Sequence, residues 1–237
     1  MRPIDATLTS RFDEAFLYAA IVHAGQKRKG TEIPYIAHLL SVAGLVLEDG
    51  GDEEEAIAAL LHDAVEDGGG RARLEDIRAR FGERVAAIVE GCSDSDTVPK
   101  PPWRERKERH LKHLRDASPS VLRVSAADKL HNARAILADY RAQGESLWKR
   151  FNAGRDDILW YYRCLVGIFR ERGPASLTEE LDQAVSEIEA LAGFRPALQI
   201  ESGGGKGAAE LPQARGLRQR PMAGARPQRR KSKRRRC

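Results

Sequence analysis

Apolar residues recur every three to four positions along most of the chain, and no stretch shows the sustained two-residue alternation of a half-buried strand. Such spacing lets each helix bury one face against its neighbours. It predicts helices over residues 10–23, 34–47, 52–67, 74–81, 85–89, 103–115, 119–140 and 145–172, and a last helix that begins at Ser176. The sequence therefore predicts an all-α fold, a bundle of helices around a single core.

Polar and conformationally restricted residues mark several of these helix ends. Asp52 is suited to cap the third helix, and the three glutamates at residues 53–55 carry the charge favoured at a helix N-terminus. Pro119 suits the first turn of its helix, and Gly173 with Pro174 ends the helix before Ser176, which we expect to act as a cap.

The helical pattern is lost beyond Phe194, where glycine, proline, glutamine and arginine dominate. Residues 195–237 carry 13 Lys and Arg against two acids, a net charge of +11, whereas residues 1–194 carry 27 against 33, a net charge of −6. The overall net charge of +5 therefore describes neither part. We expect a working domain over residues 1–194 and a disordered basic tail over residues 195–237, with any nucleic-acid binding confined to the tail.

The composition also narrows the cellular setting. The chain has no run of about 18 uncharged apolar residues, so we expect no membrane span, and its first ten residues lack the apolar segment of a secretory signal. Cys92, Cys164 and Cys237 are far apart and lack CxxC spacing, which argues against a disulfide framework or a cysteine zinc site. We expect a cytoplasmic protein with no membrane partner, and the sequence leaves its oligomeric state open.

A group of polar residues follows the apolar run of the third helix. His62, Asp63, Glu66 and Asp67 lie there at spacings that place them on adjacent faces of one helix. Histidine and aspartate are costly to bury without partners, so a His-Asp pair directly after an apolar core segment is unusual. Imidazole and carboxylate ligands together suit Mn²⁺, Fe²⁺, Zn²⁺ or Mg²⁺, and no thiolate is present to favour zinc.

Two further segments offer side chains that complete such a site. His38 lies on the second predicted helix, and Asp128 and Asn132 lie four residues apart on the helix that Pro119 opens. A single histidine or aspartate on a helix is usually a cap, a hydrogen-bonded core residue or a solvated one. Taken together, the order His, His-Asp, Asp is the ligand set of a known superfamily.

The chain resembles an HD-domain phosphohydrolase, and more narrowly the hydrolase domain of the RelA/SpoT family and its small stand-alone alarmone hydrolases. The matching motifs, in the family's order, are HAGQKRKG at 23–30, PYIAH at 34–38, ALLHDAVED at 59–67, FG at 81–82 and ADKLHN at 127–132. The resemblance covers roughly residues 10–170.

This resemblance implies a compact helical HD-domain bundle with one catalytic divalent metal, commonly Mn²⁺. It implies metal ligands at His38, His62, Asp63 and Asp128. It further implies that Glu66 and Asp67 activate or position the attacking water, and that Arg28, Lys29 and Asn132 contact the nucleotide substrate. The implied reaction removes pyrophosphate from the 3′ position of guanosine tetra- or pentaphosphate.

Two other functions stay open on the sequence. One is an HD-domain enzyme that acts on a different nucleotide, such as ppApp, NADPH or a nucleoside phosphate. The other is a non-catalytic nucleotide sensor or a nucleic-acid-associated protein. The complete set of four ligands with Glu66 and Asp67 argues against a sensor, and Arg28 and Lys29 favour a polyphosphate substrate.

Overall fold

A computed structural model describes residues 7–67, 69–93 and 101–194, with the side chain of Asp67 left out. These residues form helices joined by short loops, and among them the only β-type pairing is an isolated bridge between Lys27 and Pro34. The helices are α1 (Ser10–Val22), α2 (Ile36–Glu48), α3 (Glu53–Leu61), α4 (Ala64–Asp67), α5 (Gly70–Phe81), α6 (Glu83–Cys92), α7 (Trp103–Asp116), α8 (Pro119–Gln143), α9 (Arg155–Arg172) and α10 (Ala175–Leu191), with a 3-10 segment at Gly144–Arg150. The predicted all-α fold is confirmed.

Helix α8 lies at the centre of the bundle and contacts α2, α3, α6, α9 and α10. It begins as the sequence predicts, with Pro119 in the first turn, and the Ser118 hydroxyl accepts a hydrogen bond from the Val121 amide. Its inward residues are almost all small or apolar, and Asp128 is the charged exception. The central helix therefore carries a carboxylate into the core.

Helix α3 is buried on every side. Asp52 and Glu55 form a reciprocal capping box at its start, each side chain accepting from the other's backbone amide at 3.0 Å. The residues from Ala56 to Leu61 are all fully buried, because α1, α2, α6 and α8 surround them. His62 and Asp63 follow directly, so the chain delivers both side chains to the interior.

The prediction of one helix over residues 52–67 is wrong at its centre. Helix α3 ends at Leu61, residues 62–63 form a turn, and α4 begins at Ala64. The His62 ring nitrogen Nδ1 lies 2.8 Å from the Ala59 carbonyl, an acceptor that an unbroken helix gives to the Asp63 amide. This competing side-chain bond accounts for the interruption of the helix. The resulting turn separates His62 and Asp63 from Glu66, which lies on α4.

Other predicted boundaries also differ from the structure; α2 begins at Ile36 and not at residue 34, and α5 begins at Gly70 and not at residue 74. The single helix over residues 145–172 is a 3-10 segment followed by α9, since Asn152 and Gly154 both disfavour helix and Gly154 is extended as the N-cap of α9. The last helix begins at Ala175 after Pro174, so Ser176 lies in its first turn and is not the cap. The helical spacing of apolar residues continues across the start of α9 and the start of α10, so it did not reveal these two boundaries.

The predicted disordered tail, residues 195–237, and most of the loop at 93–102 lie outside the described residues. The domain boundary at residue 194 therefore stays a prediction. Within the described helices, none is long and apolar enough to cross a membrane. Cys92 and Cys164 are free thiols. The cytoplasmic location also stays a prediction.

Candidate metal centre

The four predicted ligands come together from three elements of the fold. His38 lies on α2, His62 and Asp63 lie in the turn after α3, and Asp128 lies on α8. The nitrogen Nε2 of His38 is 3.3 Å from Asp128 Oδ1 and 3.7 Å from Asp63 Oδ2, and Nε2 of His62 is 3.7 Å and 3.0 Å from the same two oxygens. The donor atoms of His38, His62 and Asp128 all lie within 4.8 Å of one another, which is the spacing of ligands around a single ion.

Burial makes this cluster unusual for a helical core. The side chains of His38, His62 and Asp128 are 1%, 3% and 8% exposed. Polar groups this deep need partners to offset the loss of hydration. A cation shared by all of them would satisfy that need.

The hydrogen bond of His62 shows which of its nitrogens faces the centre. Its Nδ1 donates to the Ala59 carbonyl, so Nε2 is the nitrogen that faces the centre. This buried Nε2 lies between the carboxylates of Asp63 and Asp128. Once deprotonated, an imidazole nitrogen in this position fits a divalent ion.

His38 is oriented by a second histidine that the sequence reasoning passed over. Its Nδ1 lies 2.8 Å from Nδ1 of His131, so one ring donates and the other accepts. Burial, with the charges of His38 and Arg28, lowers the pKa of His131 to about 4, which keeps that ring neutral and able to accept. The Nε2 of His38 is then free to act as a ligand.

The two carboxylates also have fixed partners. Asp63 Oδ2 accepts a hydrogen bond from the Tyr35 hydroxyl at 2.5 Å, and Asp128 accepts from Lys129 and from the Asn132 amide, each at 2.5 Å. Such contacts hold a ligand in one orientation and leave its other lone pairs for the ion. Tyr35 and Lys129 lie inside the motifs that pointed to this site, but their contacts with the ligands depend on the tertiary fold.

Charge coupling inside the cluster is strong. Burial alone would raise the pKa of Asp63 and Asp128, but positive charge on His62 and Lys129 and hydrogen bonds from the histidines hold both pKa values well below the usual range. Burial likewise opposes the charged form of His62, yet the two aspartates raise its pKa well above the usual value. The aspartates thus attract a positive charge, and a bound metal would take the place of that proton.

Glu66 lines the same cavity as the ligands. This cavity has a volume of about 240 Å³, and its polar wall includes Asp63, Glu66 and Asp128. The predicted pair of Glu66 and Asp67 is carried by the short helix α4. The side chain of Asp67 lies outside the described part of the structure. The role predicted for Asp67 therefore stays a prediction.

The predicted substrate residues lie beside the ligands, on the loop between α1 and α2 and on α8. The Arg28 guanidinium donates to Asn132 Oδ1 at 2.9 Å, and the Lys29 ammonium donates to Asn152 Oδ1 at 3.0 Å. All three predicted residues, Arg28, Lys29 and Asn132, line a second cavity of about 470 Å³. Its remaining wall is largely apolar and aromatic and includes Tyr161 and Tyr162.

The comparisons with known families and proteins agree with this geometry. Residues 15–159 match the HD domain. The chain is 42% identical over 126 residues to guanosine-3′,5′-bis(diphosphate) 3′-pyrophosphohydrolase MESH1 of Xenopus tropicalis, which is 52% of this chain and 68% of that protein. Over 132 residues it is 36% identical to the bifunctional (p)ppGpp synthase/hydrolase SpoT of Escherichia coli K12, covering 53% of this chain but only 18% of SpoT.

Solved structures extend the likeness to the fold. A metazoan ortholog of SpoT, described as hydrolysing ppGpp, superposes with a TM-score of 0.65 at 26% identity, over 77% of this chain and 97% of that one. A Listeria monocytogenes protein superposes with a TM-score of 0.56 at 30% identity, over 64% and 97%. The HD match spans more than half of this chain and contains all four clustered side chains. The chain therefore belongs to the HD-domain family, in the group that holds the RelA/SpoT-type hydrolase domains.

Proposed function

We propose that this protein is a divalent-metal-dependent hydrolase that removes pyrophosphate from the 3′ position of guanosine tetra- and pentaphosphate. One observation carries the proposal: the ligand cluster opens into a polar cavity that shares six residues with a larger, mostly apolar cavity. A nucleoside polyphosphate has the same two parts, a charged end and an aromatic base. The MESH1 and SpoT relatives, whose names state this substrate, support the choice.

His38, His62, Asp63 and Asp128 would hold the ion. Two imidazoles and two carboxylates suit Mn²⁺, Fe²⁺ or Zn²⁺, and we propose Mn²⁺ as the natural ion because it is the common metal of the family resembled. A divalent ion in this position polarises a phosphoryl oxygen and lowers the pKa of water. The contacts of Tyr35 with Asp63 and of His131 with His38 would keep these ligands in place.

Glu66 is the proposed general base. Its carboxylate lines the metal cavity beside Asp63, where it can accept the proton of the attacking water. Asp67 follows it on α4, and we propose that it helps to position that water. The reaction consumes one water, breaks the bond between the 3′ oxygen and phosphorus, and releases pyrophosphate with a 3′-hydroxyl nucleotide.

Arg28 and Lys29 are the proposed anion-binding residues. Both lie on the loop between α1 and α2, and Lys29 lines the two cavities at once. The contact between Arg28 and Asn132, and that between Asn132 and Asp128, connect this loop to a metal ligand. Their positive charge neutralises the polyphosphate as it approaches the two aspartates.

A hydrolysis screen tests the assignment. Protein with Mn²⁺ is incubated separately with ppGpp, pppGpp, ppApp, NADPH and nucleoside di- and triphosphates, and released pyrophosphate or phosphate is measured. We expect release of pyrophosphate from ppGpp, loss of it in Asp63→Ala, and retention in Asp76→Ala, which removes a carboxylate at the α1–α5 contact outside the metal cavity. No turnover of ppGpp with the metal fully bound would refute the proposal.

We further propose that residues 1–194 contain the whole activity, and that the basic segment at 195–237 is an addition to it. The support is that every predicted ligand, base and substrate residue lies between residues 28 and 132. Binding of this protein to nucleic acid, if it is measured, should then disappear on removal of the segment and weaken steeply with salt.

A further inference from the structure

An ion pair interrupts the largely apolar wall of the larger cavity. The carboxylate of Asp139, on α8, and the guanidinium of Arg150, in the 3-10 segment, both line this cavity and do not line the metal cavity. Nη1 of Arg150 donates to Asp139 Oδ2 at 2.6 Å. The two side chains are only 16% and 29% exposed, so the pair is a fixed polar feature of a mostly apolar surface.

The surrounding structure holds both members of this pair. The stem of Arg150 lies against Gly30, in the loop between α1 and α2. A Cβ atom at Gly30 would lie 2.8 Å from Nε and 2.9 Å from Cδ of Arg150, so a larger residue would push the guanidinium away. Gly30 also has a φ of 73°, which glycine adopts without strain. The loop that carries the proposed anion-binding residues is therefore packed against Arg150.

Helix α8 places Asp139 in line with the other residues of the site. Asp128, Asn132 and Asp139 are spaced by four and then seven residues, so they lie on one face of the helix. Asp128 is a predicted metal ligand, and Asn132 is a predicted substrate residue that lines the larger cavity. Asp139 is about 10 Å further along α8 than Asn132, at the end away from the metal ligands. A nucleotide bound by its phosphates at the ligands would extend its base in this direction.

The pair presents a donor beside acceptors. The guanidinium has N–H groups beyond the one it gives to Asp139, and the carboxylate has about four lone-pair positions, of which Arg150 takes one. Guanine has the complementary edge, with the acceptor O6 beside the donors N1–H and N2–H. Adenine has a donor amino group beside the acceptor N1, so its edge opposes the pair at both positions.

We propose that Asp139 accepts hydrogen bonds from N1 and N2 of guanine while Arg150 donates to O6, and that this pair selects guanine over adenine nucleotides. The inference rests on the proposed function, which places the base in the larger cavity. It narrows the substrate of that site to guanosine polyphosphates, and it disfavours ppApp and NADPH, which both carry adenine.

Binding of GDP, ADP and xanthosine diphosphate to the full-length, Mn²⁺-loaded protein, measured by calorimetry, tests the proposal. We expect GDP to bind about tenfold or more tightly than ADP, as hydrogen bonds to charged groups imply. Asp139→Asn should weaken GDP binding about tenfold. The same variant should bind xanthosine diphosphate more tightly than the wild type does, because xanthine has a carbonyl in place of the amino group and the asparagine amide can donate to it. A damaged fold would not produce that gain.

Asp182→Asn is the matched control. Asp182 pairs with Arg163 at the same distance of 2.6 Å and lines neither cavity, so its GDP affinity should not change. In turnover of ppGpp, Asp139→Asn should raise KM about tenfold with kcat within about twofold, since the base does not react.

Three results would overturn the role of the pair: equal affinity of the wild type for GDP and ADP, equal weakening of both in Asp139→Asn, or no gain in affinity for xanthosine diphosphate. A wild type that prefers GDP but does not turn over ppGpp would instead overturn the proposed function and leave the guanine subsite standing.

Discussion

Replacing Tyr35 with phenylalanine removes one hydroxyl group, the donor that lies 2.5 Å from Asp63, a predicted metal ligand. The ring itself remains, with its stacking on His23 at a centroid distance of 5.1 Å and its edge contact with His38 at 5.5 Å. The shape of the site should therefore persist. The substitution removes the hydrogen bond that fixes Asp63 Oδ2, so the Asp63 carboxylate can rotate away from the ion.

The size of the effect follows from the chemistry of metal sites. Removing a group that hydrogen-bonds a ligand lowers metal affinity by about 10- to 100-fold. That range equals about 1.4–2.7 kcal/mol of binding free energy. The lost hydrogen bond should also lower the free energy of unfolding by about 1 kcal/mol, so stability must be measured beside metal affinity.

Tyr18→Phe is the matched control. The Tyr18 hydroxyl donates to the Asp76 carboxylate at 2.6 Å, at the contact of α1 with α5 and outside the metal cavity. Titration of Mn²⁺ followed by the electron paramagnetic resonance of the free ion gives Kd for both variants. We expect a weaker Kd in Tyr35→Phe only. An unchanged Kd in that variant, or an equal change in Tyr18→Phe, would refute the reasoning.

Removing the ion with EDTA should lower the free energy of unfolding by about 2.7 kcal/mol relative to protein held at 100 times Kd, and added Mn²⁺ should restore it in thermal melts. Glu66→Gln should lower kcat about 10²-fold or more and leave Mn²⁺ affinity unchanged; weakened Mn²⁺ binding would make Glu66 a ligand instead. Leu130→Ala, at a fully buried position of α8, should cost about 2–5 kcal/mol in urea unfolding. A chain ending at Phe194 should keep its specific activity and cooperative unfolding, and loss of the transition would show that the removed segment supports the fold.

The predicted helices largely agree with the structure because their ends carry local signals. The capping box at Asp52 and the proline at 119 each act within a few residues, so the sequence alone predicts them. The interruption after Leu61 depends on a side-chain bond from His62 to the backbone, and apolar spacing carries no trace of it. The break before α9 was missed for the same reason, although Gly154 marks it in the sequence.

The candidate metal site also combines residues that the sequence predicts with contacts that only the tertiary structure reveals. The resemblance to the HD-domain family implied His38, His62, Asp63 and Asp128 as ligands, and the structure brings all four side chains together. His131 was part of a quoted motif, yet nothing local shows that its ring meets His38, which is 93 residues away. The same holds for the hydroxyl of Tyr35, which lies 28 residues from Asp63 in sequence.

The sequence by itself determined the helical class and most helix boundaries, because each depends on local spacing or on residue type, and its motifs supplied the predicted metal ligands. Only the tertiary structure decided which side chains hold those ligands and where the two cavities join. The physical reason is that these contacts join residues from helices far apart in the chain. Their distances follow from how the helices pack, which no local pattern encodes.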